Sequence, residues 1–358
     1  MKNLLHKGLV VFSLIFSGSL LISYSAAYIN PGTLGFPAFF GLAFPYLLIV
    51  NLLFVLYWMF RRKWSFLIPL VIILIGYGRL SDFYQLSIRE ELVVPDSEQL
   101  TVLSYNVRSF DRYKWTKDPD TPQNIINLIN SKEPDVVCLQ EYRTTTNGFL
   151  SLANLKKELE LKYVYSSSKN SGVAIFSKYP IIKKEKLLFS KDHLCKAIFT
   201  DISIKGKLLR VYSLHLESNR LVGKNYRFIK KDDYQGNEED LDEIKDISLR
   251  LSQAFTRRAE QAIKIKDHVK NSPHPTLVCG DFNDTPNSYT YHQLSKDMND
   301  AFVSQGKGIS TTYSGDFPSF RIDYLLYSED LTCVKYDRIR KRYSDHYPIC
   351  ASFAFVSK

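Results

Sequence analysis

Eight residues of types that bind metals or move protons recur at or just beyond the ends of β-like runs: Asn106, Glu141, His215, Asp281, Asn283, Asp323, Asp345 and His346. Taken singly, each has a plain structural explanation, because an Asn or Asp after a strand is usually a turn residue or a helix cap. Glu141 closes the apolar run DVVCLQE, where an acid is expensive to bury without a partner. A divalent cation would satisfy it, and Mg²⁺ takes few carboxylates together with water and substrate phosphate; a cap or a salt-bridge partner would serve as well. Asp281 and Asn283 stand two apart in GDFND, so an extended backbone sets both on one side. There a carboxylate can orient or deprotonate water and an amide can hold a phosphate oxygen, although a bare turn after Gly280 reads the same way. Asp345 and His346 adjoin in YSDHYP, and Asp323 in RIDYLLYS is the candidate carboxylate to orient that ring. A histidine so fixed can donate to a phosphate or stabilise its charge. His215 ends VYSLHL, with Glu217 either its neighbour or the start of a loop.

The elements that must position these groups are strands alternating with helices and turns. TVLSYNV (101–107) and DVVCLQEY (135–142) read as strands around a helix at 122–130, and a second helix is expected over 149–160. YVYSS, SGVAIFSKYP and KKEKLLFS follow as hairpin-like strands, and 194–204 joins 207–216 through a tight turn at Lys205 and Gly206. The polar stretch 219–239 interrupts this pattern as an insertion or long loop. A helix over about 242–269 then leads into TLVCGDF (276–282), and further strands fall at RIDYLLYS, LTCVKYDRIR and ICASFAFV. Hairpins exclude a purely parallel sheet. The expected fold is a four-layer α/β sandwich of two mixed, largely antiparallel β-sheets flanked by helices.

Ahead of this domain lie three apolar runs, 8–28, 35–60 and 64–78, against the ~20 residues that a membrane span needs. They divide the chain into a transmembrane segment at 1–80 with two or three helices, a connector at 81–100 and a catalytic domain at 101–358. A cleaved signal would explain only the first run. The lipid bilayer is thus an expected partner through residues 8–80. Lys2 and Lys7 precede the first run and Arg61, Arg62 and Lys63 separate the second from the third, so both clusters should face the cytoplasm. Three spans then put the catalytic domain of a multi-pass cell-membrane protein on the outer face; a third run that does not cross leaves it inside. The net charge of +10 suits phosphate-bearing partners or an anionic surface without naming one. Five widely separated cysteines, Cys138, Cys195, Cys279, Cys333 and Cys350, lack metal-ligand spacing and read as small buried hydrophobes. Arg257 and Arg258 either reach a phosphate from the long helix or lie on its solvated face, and TTYSG (311–315) is a candidate substrate-facing loop.

The motifs LSYNVR, CLQEY, YSLHLES, VCGDFND, RIDYLLYS and YSDHYP, in this order over residues 101–356, resemble the endonuclease/exonuclease/phosphatase superfamily with its deoxyribonuclease I-like fold. The resemblance implies a Mg²⁺ site, with Mn²⁺ a possible substitute, at Asn106, Glu141 and Asp345, of which Glu141 is the direct ligand. It further implies that His215 contacts the scissile phosphate, Asp281 activates or positions the attacking water, and Asn283 holds a phosphate oxygen. Asp323 would orient His346, and His346 would stabilise the pentacovalent transition state. The implied activity is hydrolysis of a phosphodiester, in a phospholipid headgroup or a nucleic acid. The alternatives are a phosphomonoesterase acting on sugar or inositol phosphates and a membrane scaffold that retains the fold without catalysis. Arg108 departs from the acid that abasic-site endonucleases carry two residues after the asparagine, which argues against DNA repair.

Overall fold

The computed structural model describes residues 2–86, 94–168, 171–189, 196–231, 234, 236–315, 318 and 320–356. Cys195, part of the connector (87–93) and part of the 219–239 insertion (232, 233 and 235) lie outside the described residues.

The first apolar run forms one continuous helix, α1 (Lys2–Ser25). The second is broken: α2 (Phe36–Leu42) and α3 (Phe44–Phe60) meet at Ala43 with a bend of 67°. Pro45 explains the break, because its ring clashes with a carbonyl one turn back and it has no N–H to donate. The third run contains α4 (Leu67–Ile75). Of these, α1 alone is a straight helix long and apolar enough to cross a bilayer, and the bent pair qualifies only if counted as one span. The expectation of two or three spans is therefore narrowed: the third run gives an apolar helix over Trp64–Ile75, short of spanning length. Leu20, Phe44, Val55 and Ile73 pack the helices together. Buried Asn51 ties α3 to α1, accepting from Ser17 Oγ at 2.8 Å and donating to the Phe16 carbonyl at 3.1 Å.

The rest of the chain builds two six-stranded sheets among the described residues. The first contains β1 (Leu100–Asn106), β2 (Val136–Arg143), β3 (Tyr163–Ser166) and β4 (Ser171–Ser177). The second contains β5 (Ile181–Leu187), β6 (Lys196–Ile204), β7 (Lys207–His215), β8 (Thr276–Asp281), β9 (Asn299–Asp300) and β10 (Asp323–Tyr327). Two closing strands, β11 (Leu331–Arg338) and β12 (Ile349–Phe355), return to the first sheet. The orders are β11-β12-β1-β2-β4-β3 and β9-β10-β8-β7-β6-β5. One pair in each sheet is parallel, β1 with β2 and β7 with β8, and every other pairing is antiparallel.

Alternation along the strands sorts the side chains into layers. Val102, Val136, Cys138, Val211, Leu277, Cys279 and Leu325 meet between the sheets. On the outer face of the first sheet, Leu103 and Leu139 receive Ile125, Ile126 and Ile129 of α5 (Thr121–Asn130) and Leu155 of α6 (Leu152–Glu158). On the outer face of the second, Tyr212 and Val278 receive Ala262 and Ile265 from a 33-residue helix, with Tyr291 and Leu294 from a shorter one. The layers are helix, sheet, sheet, helix, as expected. The hairpin turn at Lys205 (φ 49°) and Gly206 (φ 86°) has the paired positive φ values that suit a two-residue connection. Part of the polar stretch after β7 is ordered as α7 (Gly223–Ile229), and the long helix, α8 (Glu238–Lys270), starts four residues earlier than the sequence suggested because Asn237 caps it by accepting from the Asp240 N–H. Cys138, Cys279, Cys333 and Cys350 are buried free thiols.

The helical segment is not a bare tether. Asn287, just before α9 (Tyr289–Ser295), donates from Nδ2 to the Ser23 carbonyl of α1 at 2.9 Å. Phe39 of α2 packs edge-on against Phe255 of α8, with ring centroids 5.4 Å apart, and Arg321 donates to the Asp82 carbonyl at 2.7 Å.

Candidate active site

Asn106, His215, Asp281 and Asp323 each continue the series of side chains that points between the sheets. Cys279 of β8 is core and Asp281 is next on the same face. Val211 of β7 is core, Ser213 follows and His215 ends the series. Leu325 of β10 is core, and Asp323 precedes it on that face. Val102, Ser104 and Asn106 do the same on β1. The inter-sheet core therefore changes from apolar to polar at one end, through a buried layer in which Gln140 donates to Ser104 Oγ at 3.2 Å. Glu141 breaks the alternation. The β2–β4 ladder slips between Leu139 and Tyr142, and Glu141 takes φ 47°, a bulge that turns its side chain toward Asn106.

The groups converge. Asn106 Nδ2 lies 3.0 Å from Asp281 Oδ2 and 3.3 Å from Glu141 Oε1. His215 Nε2 is 3.7 Å from Asp281 Oδ2 and 3.9 Å from Glu141 Oε1. His346 Nε2 is 3.6 Å from the same Asp281 oxygen, while its Nδ1 bonds Asp323 Oδ2 at 2.9 Å. Thr312 Oγ1 accepts from the N–H groups of Ile322 and Asp323 at 3.0 Å each, fixing the start of β10. A cleft of about 170 Å³ is lined by Glu141, His215, Asp281, Asn283, Asp345 and His346. Asn106, which backs Glu141 and Asp281, completes the set with Asp323.

Burial raises the Asp281 carboxyl above the ordinary range; His346 and His215 pull it back down, and Asp323 adds to the rise. Burial alone would lower His346, but Asp323, Asp281 and Asp345 together raise it well above the usual imidazole range, which favours the protonated ring. An imidazolium locked at Nδ1 presents Nε2–H to the cleft beside a carboxylate, an arrangement able to donate to a phosphoryl oxygen next to a water acceptor.

Asn283 is held by its own surroundings: its N–H donates to Asp281 Oδ1 at 2.8 Å and its Nδ2 to the Leu216 carbonyl at 3.1 Å. Asp345 lies 3.4 Å from Arg108 Nε and accepts from Ser344 Oγ at 3.2 Å, and the Arg108 guanidinium stacks 3.8 Å over the Trp115 ring. The arginine that replaces an acid in the sequence is thus the partner of a site carboxylate. Asp281, Asp323 and His346 each offer a ligand atom within 4.8 Å of the others, a trio that can hold a metal ion. Glu141 is the other acid suited to a cation: among the described residues no Lys or Arg lies within ion-pair distance of it. Hard carboxylate and amide oxygens fit a divalent cation such as Mg²⁺.

Arg257 and Arg258 are neither on a solvated face nor among the residues lining this cleft. Arg258 is buried, bonding Asp284 at 3.1 Å and the Glu217 carbonyl at 2.9 Å, and Arg257 bonds Glu217 at 3.1 Å. They brace the chain leaving β7. Tyr313 of the TTYSG loop does line the cleft and packs on His346 with centroids 5.2 Å apart. Several lining residues were not singled out by the sequence, among them Arg220 in the polar insertion, Phe320, and Leu42 at the end of α2.

This fold and this cluster of carboxylates and oriented imidazole define a phosphoester hydrolase. The chain belongs to the Endonuclease/Exonuclease/phosphatase family, whose model matches residues 103–346. Residues 6–83 match a separate model described as a domain of unknown function. Sphingomyelinase C from Bacillus cereus is 23% identical over 306 residues, 72% of this chain and 82% of that protein. The mannosyl-6-phosphatase of Bacteroides thetaiotaomicron VPI-5482 superposes with a TM-score of 0.52 at 18% identity, covering 72% of this chain and all of that one (100%). Humanized TDP2 of D. rerio superposes with a TM-score of 0.52 at 16% identity, covering 72% of this chain and 99% of that one.

Proposed function

We propose that the protein is a Mg²⁺-dependent phosphodiesterase held at a membrane by its N-terminal helices. The observation that carries the reading is the Asp323–His346 bond at 2.9 Å, which aims Nε2 at a cleft shared with Asp281, Glu141 and His215. A divalent cation held by Glu141 and Asn106, with Asp345 beside it, would supply Lewis-acid polarisation of a phosphoryl oxygen. Asp281 holds the attacking water and takes its proton; the neighbouring Asn106 amide keeps that carboxylate in place. His346, protonated and pinned by Asp323, donates to the phosphoryl oxygen on which charge grows. His215 contacts the scissile phosphate from the opposite strand, and Asn283 adds an amide donor. Histidines on two sides of Asp281 favour a diester over a monoester, since both ester oxygens and the non-bridging oxygens then meet donors.

Membrane attachment is supported by α1 and by large apolar side chains left outward on the helices, including Phe12, Ile15, Leu53 and Leu56. The catalytic domain docks at the Ser23 end of α1, far along the helix from Lys7, with α3 running away from it toward Arg61–Lys63. Basic residues at the remote end support a catalytic domain on the outer face, a reading that requires the chain after Lys63 to return across the membrane through α4 together with its flanks. The test is turnover of bis-p-nitrophenyl phosphate and p-nitrophenyl phosphate by the full chain in nanodiscs with Mg²⁺. Selective diester cleavage, lost in His346→Ala and on chelation, is expected; faster monoester cleavage overturns the diester assignment, and turnover unaffected in His346→Ala overturns the mechanism.

A further inference from the structure

Leu42, the last residue of α2, lines the same cleft as Glu141, His215, Asp281 and His346. An anchor residue in the catalytic cleft would mean little if the anchor were loosely attached, but the elbow is fixed. A Cβ on Gly41 would come within 2.5 Å of Ala26 Cβ and 2.7 Å of the Asn287 carbonyl oxygen, so α2 lies directly against both the helical segment and the catalytic domain. The Asn287–Ser23 bond and the Phe39–Phe255 contact hold it on either side.

An apolar path leads from this point to the outer surface of the helices. Phe320 lines the cleft and packs against Tyr46 of α3, with ring centroids 6.3 Å apart. Tyr46, Ile49, Leu53 and Leu56 follow at helical spacing and are exposed by 50%, 54%, 59% and 63%. Steps of three and four residues put them on one face of α3, so the stripe begins beside the cleft and runs along the helix. A nucleic-acid strand has no group that gains by lying along such a stripe, whereas a hydrocarbon chain does.

We infer that the α2–α3 elbow is one wall of the substrate site, with Leu42 a specificity-determining residue, and that the substrate is a membrane lipid phosphodiester whose hydrocarbon lies along Leu42, Phe320 and the Tyr46–Leu56 stripe. This rests on the phosphodiesterase reading above and adds the substrate class to it. The hydrocarbon enters with the leaving or retained alcohol, while the phosphate sits among Glu141, His215, Asp281 and His346.

The test uses the full chain in nanodiscs and a series of alkyl p-nitrophenyl phosphodiesters from methyl to octyl. In the wild type kcat/KM rises with chain length, by up to about fourfold per methylene that becomes fully buried, which corresponds to ~0.8 kcal/mol. Leu42→Gln flattens the dependence of kcat/KM on chain length, and Leu42→Met restores the slope. Vesicles of mixed phosphatidylcholine, phosphatidylethanolamine, phosphatidylglycerol and sphingomyelin supply the natural-lipid arm, read as released headgroup. A flat series in the wild type, an unchanged slope in Leu42→Gln, or cleavage of single-stranded DNA with all lipids untouched overturns the inference while methyl-ester turnover leaves the phosphodiesterase reading standing. Absence of turnover on every diester overturns both.

Discussion

Asp281 and Asp323 face each other as register partners on neighbouring antiparallel strands, and the ring of His346 bridges them, with Nδ1 2.9 Å from Asp323 and Nε2 3.6 Å from Asp281. One imidazole thus answers to two buried carboxylates with different duties. Asp323 holds the Nδ1 side of the ring, and Asp281 shares the cleft that Nε2 faces.

That shared ring makes the pH dependence of turnover diagnostic. In the proposed mechanism Asp281 is ionised to accept a proton, and burial raises its carboxyl, with Asp323 raising it further. His346 must be protonated to donate; burial opposes this, and Asp323 is the largest of the groups that overcome it. Asp323→Asn removes a charge that raises both groups, so both limbs of the bell-shaped kcat/KM profile move to lower pH. The maximal rate falls by about a hundredfold or more, in the range expected when a general acid is impaired. An alkaline limb that stays in place in Asp323→Asn would show that His346 is not the donating group.

Glu141 owes its position to the bulge between Leu139 and Tyr142. Glu141→Gln preserves shape and removes the charge that favours a divalent cation. The expected result is weaker Mn²⁺ binding by about tenfold or more, read by titration calorimetry on the full chain. Thermal unfolding without metal should change little, because this side chain is partly exposed. Equal Mn²⁺ affinity in wild type and variant would move the cation to the Asp281, Asp323 and His346 trio.

Gly280 is the step before Asp281 and has no room for a side chain. Its φ is 143°, and an added Cβ would sit 2.0 Å from the Leu214 carbonyl oxygen on the neighbouring parallel strand. Gly280→Ala must push β7 and β8 apart where they deliver His215 and Asp281. A loss of about 3 kcal/mol or more is expected, lowering Tm by roughly 6 °C or more. Differential scanning fluorimetry of the full chain reads it, and a Tm within 1 °C of the wild type would contradict the close approach seen here.

The sequence made the strand ends legible because alternation and site chemistry coincide there: Asn106, His215 and Asp281 each end an inward-facing series that core residues begin. It could not show that Arg258 is buried against Asp284 and the Glu217 carbonyl, since helical spacing places an arginine on a face without saying what covers it. Nor could it show that Arg108 pairs with Asp345, a contact across 237 residues of chain. The apolar runs were plain, but their lengths overstated the helices, because Pro45 divides the second run and turns it by 67°. Leu42 was invisible for the same reason: inside an apolar run nothing distinguishes a lipid-facing leucine from one that closes a catalytic cleft.

The joint between the helical segment and the catalytic domain depends on Asn287, whose Nδ2 donates to the Ser23 carbonyl near the end of α1. The side chain is fully buried, so Asn287→Ala leaves a buried carbonyl without that donor, at a cost of about 1–3 kcal/mol. The loss is borne at the joint rather than by the sheets, which have their own cores. Amides near Ser23–Ala27 and along α2 should exchange about five- to a hundredfold faster, while those of β1, β7 and β8 keep wild-type rates. Hydrogen exchange read by mass spectrometry on the nanodisc-held chain separates the two regions. Uniform acceleration across the sheets would instead make the helical segment part of the catalytic domain's own folding unit.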